Sequence, residues 1–280
     1  MKNKVFIYDT TLRDGAQAEG ISFTVNDKLR IARRLDGLGV DYIEAGNPGS
    51  NPKDLEFFNK IQDSPLEHAK LAAFGSTRRP GIKAKDDANV KALLTANSPV
   101  VAIFGKSWDF HVTDIIRTSL EENLRMIYDT VSFLKEEGKE VVYDAEHFFD
   151  GYKTNKDYAM ETLGAALAAG ADSLVLCDTN GGCFPLETME IVQSVVGEFP
   201  ETTIGIHCHN DGGMAEANSI IAVEAGVLQI QGTFNGYGER CGNANLSVII
   251  PNLQLKLDKT CIKEEGIKDL SSTCRYISEV

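Results

Sequence analysis

Basic charge, paired cysteines and long apolar runs are what this chain lacks. Lys and Arg number 28 against 41 Asp and Glu, a formal net charge of -13. Such an exterior repels nucleic acid phosphates and anionic membrane surfaces, so neither is an expected partner. Cysteine is absent before Cys177, and Cys177, Cys183, Cys208, Cys241, Cys261 and Cys274 form no Cys-x-x-Cys pair. That excludes a small disulfide-stapled fold and favours reduced thiols in the cytoplasm. The N-terminus reads Met-Lys-Asn-Lys and then only the apolar residues Val5 to Tyr8, too few for a signal core or a membrane span. No linker rich in Pro, Gly or Ser interrupts the chain before about residue 258. Residues 1–257 therefore read as one domain, and residues 258–280, with Ile262, Ile267, Leu270 and Ile277, as a short helical extension that begins a further subdomain.

What is present is repetition. Short β-branched runs recur about every thirty residues. They are Val5–Tyr8, Val40–Ile43, Lys70–Phe74, Val100–Phe104, Val141–Tyr143, Ser173–Cys177, Thr203–Ile206 and Leu228–Gln231. Between them apolar residues take helical spacing, as in Leu29, Ala32, Leu35 and Leu38, or Leu120, Leu124, Ile127, Val131 and Leu134. Strand–helix alternation implies parallel pairing through right-handed crossovers. Eight such units match an α/β fold of the closed (β/α)8 TIM-barrel kind better than an open sheet.

Polar residues collect where those strands end. Asp9-Thr10-Thr11-Leu12-Arg13-Asp14-Gly15 follows the first, Glu44 the second, Ser76-Thr77-Arg78-Arg79 the third and Lys106 the fourth. Asp144 and Glu146 follow the fifth, Asp178-Thr179-Asn180 the sixth, His207-Cys208-His209-Asn210-Asp211 the seventh and Asn235 the eighth. In a barrel these ends converge on one mouth. Side chains two apart on a strand share a face, so Thr203, Gly205, His207 and His209 point to the barrel axis while Ile204, Ile206 and Cys208 point to the helices. Two imidazoles about 7 Å apart along one strand can ligate a single cation when a carboxylate supplies a third donor. Asp14 is the best-placed carboxylate, non-haem iron would accept the same set, and a hydrogen-bonded core pair is the metal-free alternative.

Other residues at the mouth admit two readings each. Arg13 either stabilises a developing oxyanion or makes a loop salt bridge with Glu44 or Asp9. Glu146 either assists proton transfer or is a solvated loop acid. Thr179 either donates to a substrate carboxylate or caps the helix that begins near Pro185. Ser76–Arg79 is a small basic patch that would ordinarily be solvated. Gly236, Gly238 and Gly242 follow the eighth strand with GxGxxxG spacing, which is not the dinucleotide fingerprint, so no nicotinamide cofactor is implied.

Three segments together resemble the DRE-TIM metallolyases: Asp9 to Gly15 with Gln17, His207 to Asp211, and Gly236-Tyr237-Gly238-Glu239-Arg240-Cys241-Gly242-Asn243-Ala244-Asn245-Leu246. Within that superfamily the chain looks like the Claisen-condensing branch of 2-isopropylmalate, homocitrate and citramalate synthases. It is less like the aldol-type 3-hydroxy-3-methylglutaryl-CoA lyases or the carboxyltransferase domains. The stretches 73–79, 104–112 and 144–152 look most like citramalate synthase. The resemblance implies an acyltransferase of branched-chain amino-acid biosynthesis that joins acetyl-CoA to a small α-keto acid, pyruvate above 3-methyl-2-oxobutanoate, and works as a homodimer. It also implies that Asp14, His207 and His209 hold one divalent metal ion (Zn, Mn, Mg or Co), with Asn243 as a further ligand or a partner of one. Arg13, Gln17 and Thr179 would bind the keto acid, and Arg13 and Glu146 would be catalytic. Glu146 would work with a group from beyond the barrel, so condensation by residues 1–280 alone is expected to be poor.

Overall fold

Several helices of this chain start where a short polar side chain accepts the free N–H groups of the first turn. The computed structural model describes residues 3–280. Thr24 caps α1 (Val25–Leu38) and forms a reciprocal capping box with Asp27, while Gly39, in the left-handed region at φ 87°, ends it. Asn51 with Pro52 opens α2 (Pro52–Ile61), Asp87 opens α3 (Ala88–Thr95), and Ser119 opens α4 (Leu120–Glu136). Then follow α5 (Phe148–Thr154), α6 (Lys156–Ala168), α7 (Pro185–Glu198), α8 (Ala215–Glu224), α9 (Leu246–Lys256) and α10 (Glu264–Glu279). None of these helices is long and apolar enough to cross a membrane.

The strands are β1 (Phe6–Asp9), β2 (Tyr42–Glu44), β3 (Lys70–Ser76), β4 (Val100–Lys106), β5 (Glu140–Glu146), β6 (Ser173–Asp178), β7 (Thr203–Cys208) and β8 (Gln229–Gly232). They pair in parallel, each with the next, and β8 closes on β1 through Phe6↔Gln229 and Tyr8↔Gln231. The fold is therefore a (β/α)8 TIM barrel. Apolar residues divide into two layers. Ile7, Ile43, Ile103, Leu174 and Ile206 pack outward on the helices, whereas Tyr8, Ala72, Val100, Ala102, Val142 and Val175 fill the axis. Leu270 and Ile277 of α10 belong to the same outer cluster as Ile31 and Leu35 of α1, and Arg34 Nε donates to Thr273 Oγ1 at 3.0 Å.

Several expectations need correction. β2 begins at Tyr42 rather than Val40, because the Asp41 carboxylate accepts the Ile7 N–H at 2.8 Å and the Lys4 ammonium, so it occupies the donor a ladder would use. β4 and β5 run on to Lys106 and Glu146, which are register partners and ion-paired. Glu146 thus ends a strand instead of sitting in a solvated loop. Asn235 turns away from the mouth, with its Nδ2 donating to the Cys274 carbonyl at 2.9 Å and its backbone left-handed at φ 61°. The Ser76–Arg79 patch is solvated only at Arg79. Arg78 is buried, with Nη1 2.8 Å from Glu122 and Nη2 2.7 Å from Asp129.

Arg78 lies between the third strand's loop and α4, so its removal takes the guanidinium from Asp129 and leaves Glu122 with Arg125 and the Gly81 N–H alone. Arg78→Met is expected to lower stability by about 1–3 kcal/mol at pH 7, the range for hydrogen bonds to charged groups. The Arg78 hydrogen bond holds Glu122 down to about 2 from 4.5, a depressed folded value. That contribution is present above pH 4.5 and lost as pH falls toward 2. Denaturant melts at pH 7 and pH 3 check this, and the gap between parent and variant narrows at the lower pH.

Candidate metal centre and substrate cavity

The loop after β1 is folded so that two adjacent charged residues face inward. The Asp9 carboxylate, buried, accepts from the Thr11 N–H at 3.1 Å and from its hydroxyl at 2.8 Å. The Thr10 carbonyl then collects the N–H groups of Arg13, Asp14 and Gly15 at 3.1, 2.9 and 3.0 Å. Burial pushes Asp9 up to about 7, against the pull of the Thr11 bonds. Asp9 is a loop-ordering residue, and Arg13 and Asp14 are what it presents.

Asp14 Oδ2 lies 3.2 Å from His207 Nε2 and 3.8 Å from His209 Nε2. One ligand atom from each of Asp14, His207 and His209 falls within 4.8 Å of the others, and all three residues are buried. Burial alone would raise Asp14, but Arg13 beside it, then the two histidines, hold it well below the usual carboxylate range. His209 is driven down to about 3 by burial and by His207, with Asp14 opposing.

The arrangement fits a divalent cation on the chemistry of its donors. The set is two imidazole nitrogens and one carboxylate oxygen, which mid-row divalent ions share. Around it three buried carboxylates, Asp14, Glu44 and Asp144, face a single guanidinium, Arg13. Burial, and after it Glu44, pushes Asp144 up to about 7. Asn243 points the same way. Its Nδ2 donates to Asp14 Oδ2 at 2.7 Å, while its buried Oδ1 has no partner among the described residues. Turned over, the same amide offers its oxygen to the point where Asp14 and His207 converge. Gly238 makes this approach possible, since a Cβ there would lie 2.0 Å from Asn243 Oδ1.

Arg13 makes the salt bridge with Glu44 that one of its readings expected. Its Nε donates to Glu44 Oε1 at 2.5 Å, Nη1 lies 3.2 Å from Asp14, and the guanidinium stacks 3.7 Å over the Phe74 ring. These contacts make it a salt-bridged group that also faces the cavity. Tyr8 completes the arrangement by donating to Glu44 Oε2 at 2.8 Å. The cavity measures about 320 Å³ and is lined by Asp14, His207 and His209 together with Arg13, Gln17, Glu146 and Thr179. Phe74 and Phe104, stacked with centroids 5.3 Å apart, form one wall. A second cavity of about 270 Å³ adjoins it, shares Arg13, Gln17, Asn47 and Phe74, and extends to Lys28 and Lys53.

Thr179 does not cap α7, whose N-cap is Phe184 without a side-chain bond. Instead its Oγ1 accepts the His147 N–H at 2.9 Å, which leaves the hydroxyl proton to donate elsewhere. The eight candidate residues thus gather at one mouth, Asn243 behind the metal ligands and the rest lining the cavity. Residue patterns gave no role to Asp144, Tyr8, Gln231 or Arg240, and to Glu44 only that of a salt-bridge partner for Arg13. Gln231 accepts from His207 Nδ1 at 3.0 Å, and Arg240 bridges Asp211, the Thr179 carbonyl and His209 Nδ1 at 3.2 Å. Arg240 can only donate, so when His209 Nε2 serves as a ligand atom, Nδ1–H needs Glu239, 4.0 Å away, as its acceptor. Glu44 and Asp144 were visible as acids at strand ends, whereas Tyr8 and Gln231 lie inside strands and carry no spacing signal.

Residues 4–274 match the family described as HMGL-like. The chain is 56% identical over 280 residues to the (R)-citramalate synthase of Aquifex aeolicus, covering all of this chain and 53% of that protein. It is 35% identical to the 2-isopropylmalate synthase of Sulfurisphaera tokodaii, covering 99% of this chain and 68% of that protein. The HMG-CoA lyase structure from Bacillus subtilis superposes with a TM-score of 0.83 at 21% identity, over 99% of this chain and 93% of that one, a likeness of fold. The chain spans about half the length of the citramalate synthases it matches. If the three convergent groups are the ligands, His207→Ala combined with His209→Ala abolishes stoichiometric divalent metal in purified protein. Unchanged metal content by elemental analysis removes the site.

Proposed function

Because the chain belongs to the HMGL-like family, we propose that it is the catalytic barrel of a citramalate-forming acyltransferase, joining acetyl-CoA to pyruvate. The observation that carries this reading is the placement of Arg13, Thr179 and Glu146 around one cavity with Asp14, His207 and His209 at its floor. Relatives named (R)-citramalate synthase at 49–56% identity, against 34–37% for those named 2-isopropylmalate synthase, favour pyruvate. Six free thiols accord with the cytoplasm.

Asp14, His207 and His209, with Asn243 turned toward them, would hold the divalent ion. Such an ion polarises a carbonyl as a Lewis acid. Arg13 is fixed on three sides by Glu44, Asp14 and Phe74. A guanidinium so held needs no reorganisation when a keto oxygen takes up charge, which is the condition for electrostatic stabilisation of a transition state. Thr179 has its oxygen engaged by His147 and its proton free, so it donates to the keto acid's carboxylate. The Phe74 and Phe104 wall confines the substituent on the keto carbon to a small apolar group.

Glu146, paired with Lys106 at the cavity edge, is the base positioned to take a methyl proton from the acetyl thioester. The carbanion equivalent then forms a C–C bond to the keto carbon, whose oxygen gains a proton, and water cleaves the thioester to release CoA. A positioned base contributes about 10²–10⁴-fold. The adjoining cavity, continuous with the first at Arg13 and Gln17, gives the thioester arm a route to Glu146.

The test is thiol release from acetyl-CoA by the metal-loaded chain with pyruvate, 3-methyl-2-oxobutanoate or no keto acid. Release by residues 1–280 is expected to be slow, because the group that assists Glu146 lies beyond them, but with pyruvate still above the other two. Equal release without any keto acid, or cleavage of 3-hydroxy-3-methylglutaryl-CoA instead, contradicts the proposal. Arg13→Lys keeps the metal but loses about 10²–10³ in kcat, since an ammonium lacks the planar fork that faces the oxyanion. Parent-like turnover in that variant would assign Arg13 to structure alone.

A further inference from the structure

His207 and Gln231 are register partners on β7 and β8, both on the inward face, and Gln231 is fully buried. His207 Nδ1 lies 3.0 Å from Gln231 Oε1, and Gln231 Nε2 donates to Asp144 Oδ1 at 2.9 Å. These contacts form a chain whose polarity is set from its far end. The amide presents its NH2 to Asp144 Oδ1, and its oxygen is left facing His207. An oxygen there accepts from Nδ1–H, and the imidazole's remaining lone pair, on Nε2, is turned to Asp14. Reversing the amide would set N–H against N–H at one end and oxygen against oxygen at the other. Both ends lie in the barrel interior, with Asp144 only 4% exposed.

We propose that Gln231, held by Asp144, is the positioning residue that makes His207 a metal ligand. The inference rests on the reading that Asp14, His207 and His209 hold a divalent ion, and it concerns this chain's own hydrogen-bonding partners rather than the ligands themselves. The acceptor matters because a cation would occupy the Nε2 lone pair and Nδ1 must then keep its hydrogen in a buried position. The second imidazole differs in this respect, since His209 Nδ1 faces the guanidinium of Arg240 at 3.2 Å. The two histidines therefore do not enter the site equally prepared: His207 is preset and His209 must exchange Arg240 for Glu239.

The decisive variants are Gln231→Met, which keeps length and bulk but removes the acceptor, and Gln231→Glu, which restores an oxygen at Nδ1. Affinity for cobalt(II) is measured by competition with a chelating indicator, alongside the cobalt ligand-field spectrum and the melting temperature of metal-free protein. Loss of such a partner typically weakens a metal site about 10–100-fold. Gln231→Met is expected to show that loss with a changed cobalt spectrum, and Gln231→Glu, combined with Asp144→Asn so that an amide N–H again meets its second oxygen, to stay close to the parent in both. Asp144→Asn, whose amide accepts or donates equally well, loses affinity too and decides the matter if Gln231→Met fails to fold. Parent-like affinity and spectrum in Gln231→Met, or in Asp144→Asn should that be the variant that folds, overturns the inference while leaving the metal reading intact. A parent chain that binds no cobalt contradicts both.

Discussion

The Asp14 carboxylate, 3% exposed and facing two imidazoles and a guanidinium, is the charge around which the barrel mouth is arranged. An ionised carboxylate so deeply buried persists only when its partners outweigh the lost hydration. Arg13 supplies the largest share, yet Arg13 is itself divided between Asp14 and Glu44. One cation serving several buried acids leaves the interior short of positive charge. That shortage is what a divalent ion held as proposed would relieve.

The barrel makes such a cluster tolerable by separating it from the apolar layers. Tyr8, Val100, Val142 and Val175 pack the axis below the mouth, and a larger cluster lies between strands and helices. The charged residues of the mouth are thus held in the upper inward-facing layers and the loops above them. There each is tied to its neighbours: Asp9 orders the first loop, Tyr8 holds Glu44, Asp144 holds Gln231, and His147 N–H holds Thr179. A site on rigid strand ends with orienting hydrogen bonds behind it has little reorganisation left to do during a reaction.

Much of this was legible in residue order. Eight β-branched runs separated by amphipathic stretches specify the barrel, because period-2 and period-3.6 patterns cannot exchange. His207 and His209 announce their shared face by being two apart on a strand. Strand ends were less legible, since Lys106 and Glu146 look like loop residues until register makes them partners. Arg78 looks like a surface arginine, and only folding brings it between Glu122 and Asp129. Tyr8 and Gln231 escaped notice for a related reason: each is a polar group inside an apolar strand, and its use depends on what the neighbouring strand sets opposite it.

The account's central claim is the position of one divalent ion between Asp14, His207 and His209. Crystals of this chain soaked with manganese or zinc, measured at the metal's absorption edge, test it most directly. The account predicts one dominant anomalous peak at about 2.0–2.2 Å from the Asp14 carboxylate and both Nε2 atoms. A peak at another acidic cluster, or none at the barrel mouth under saturating metal, would contradict it.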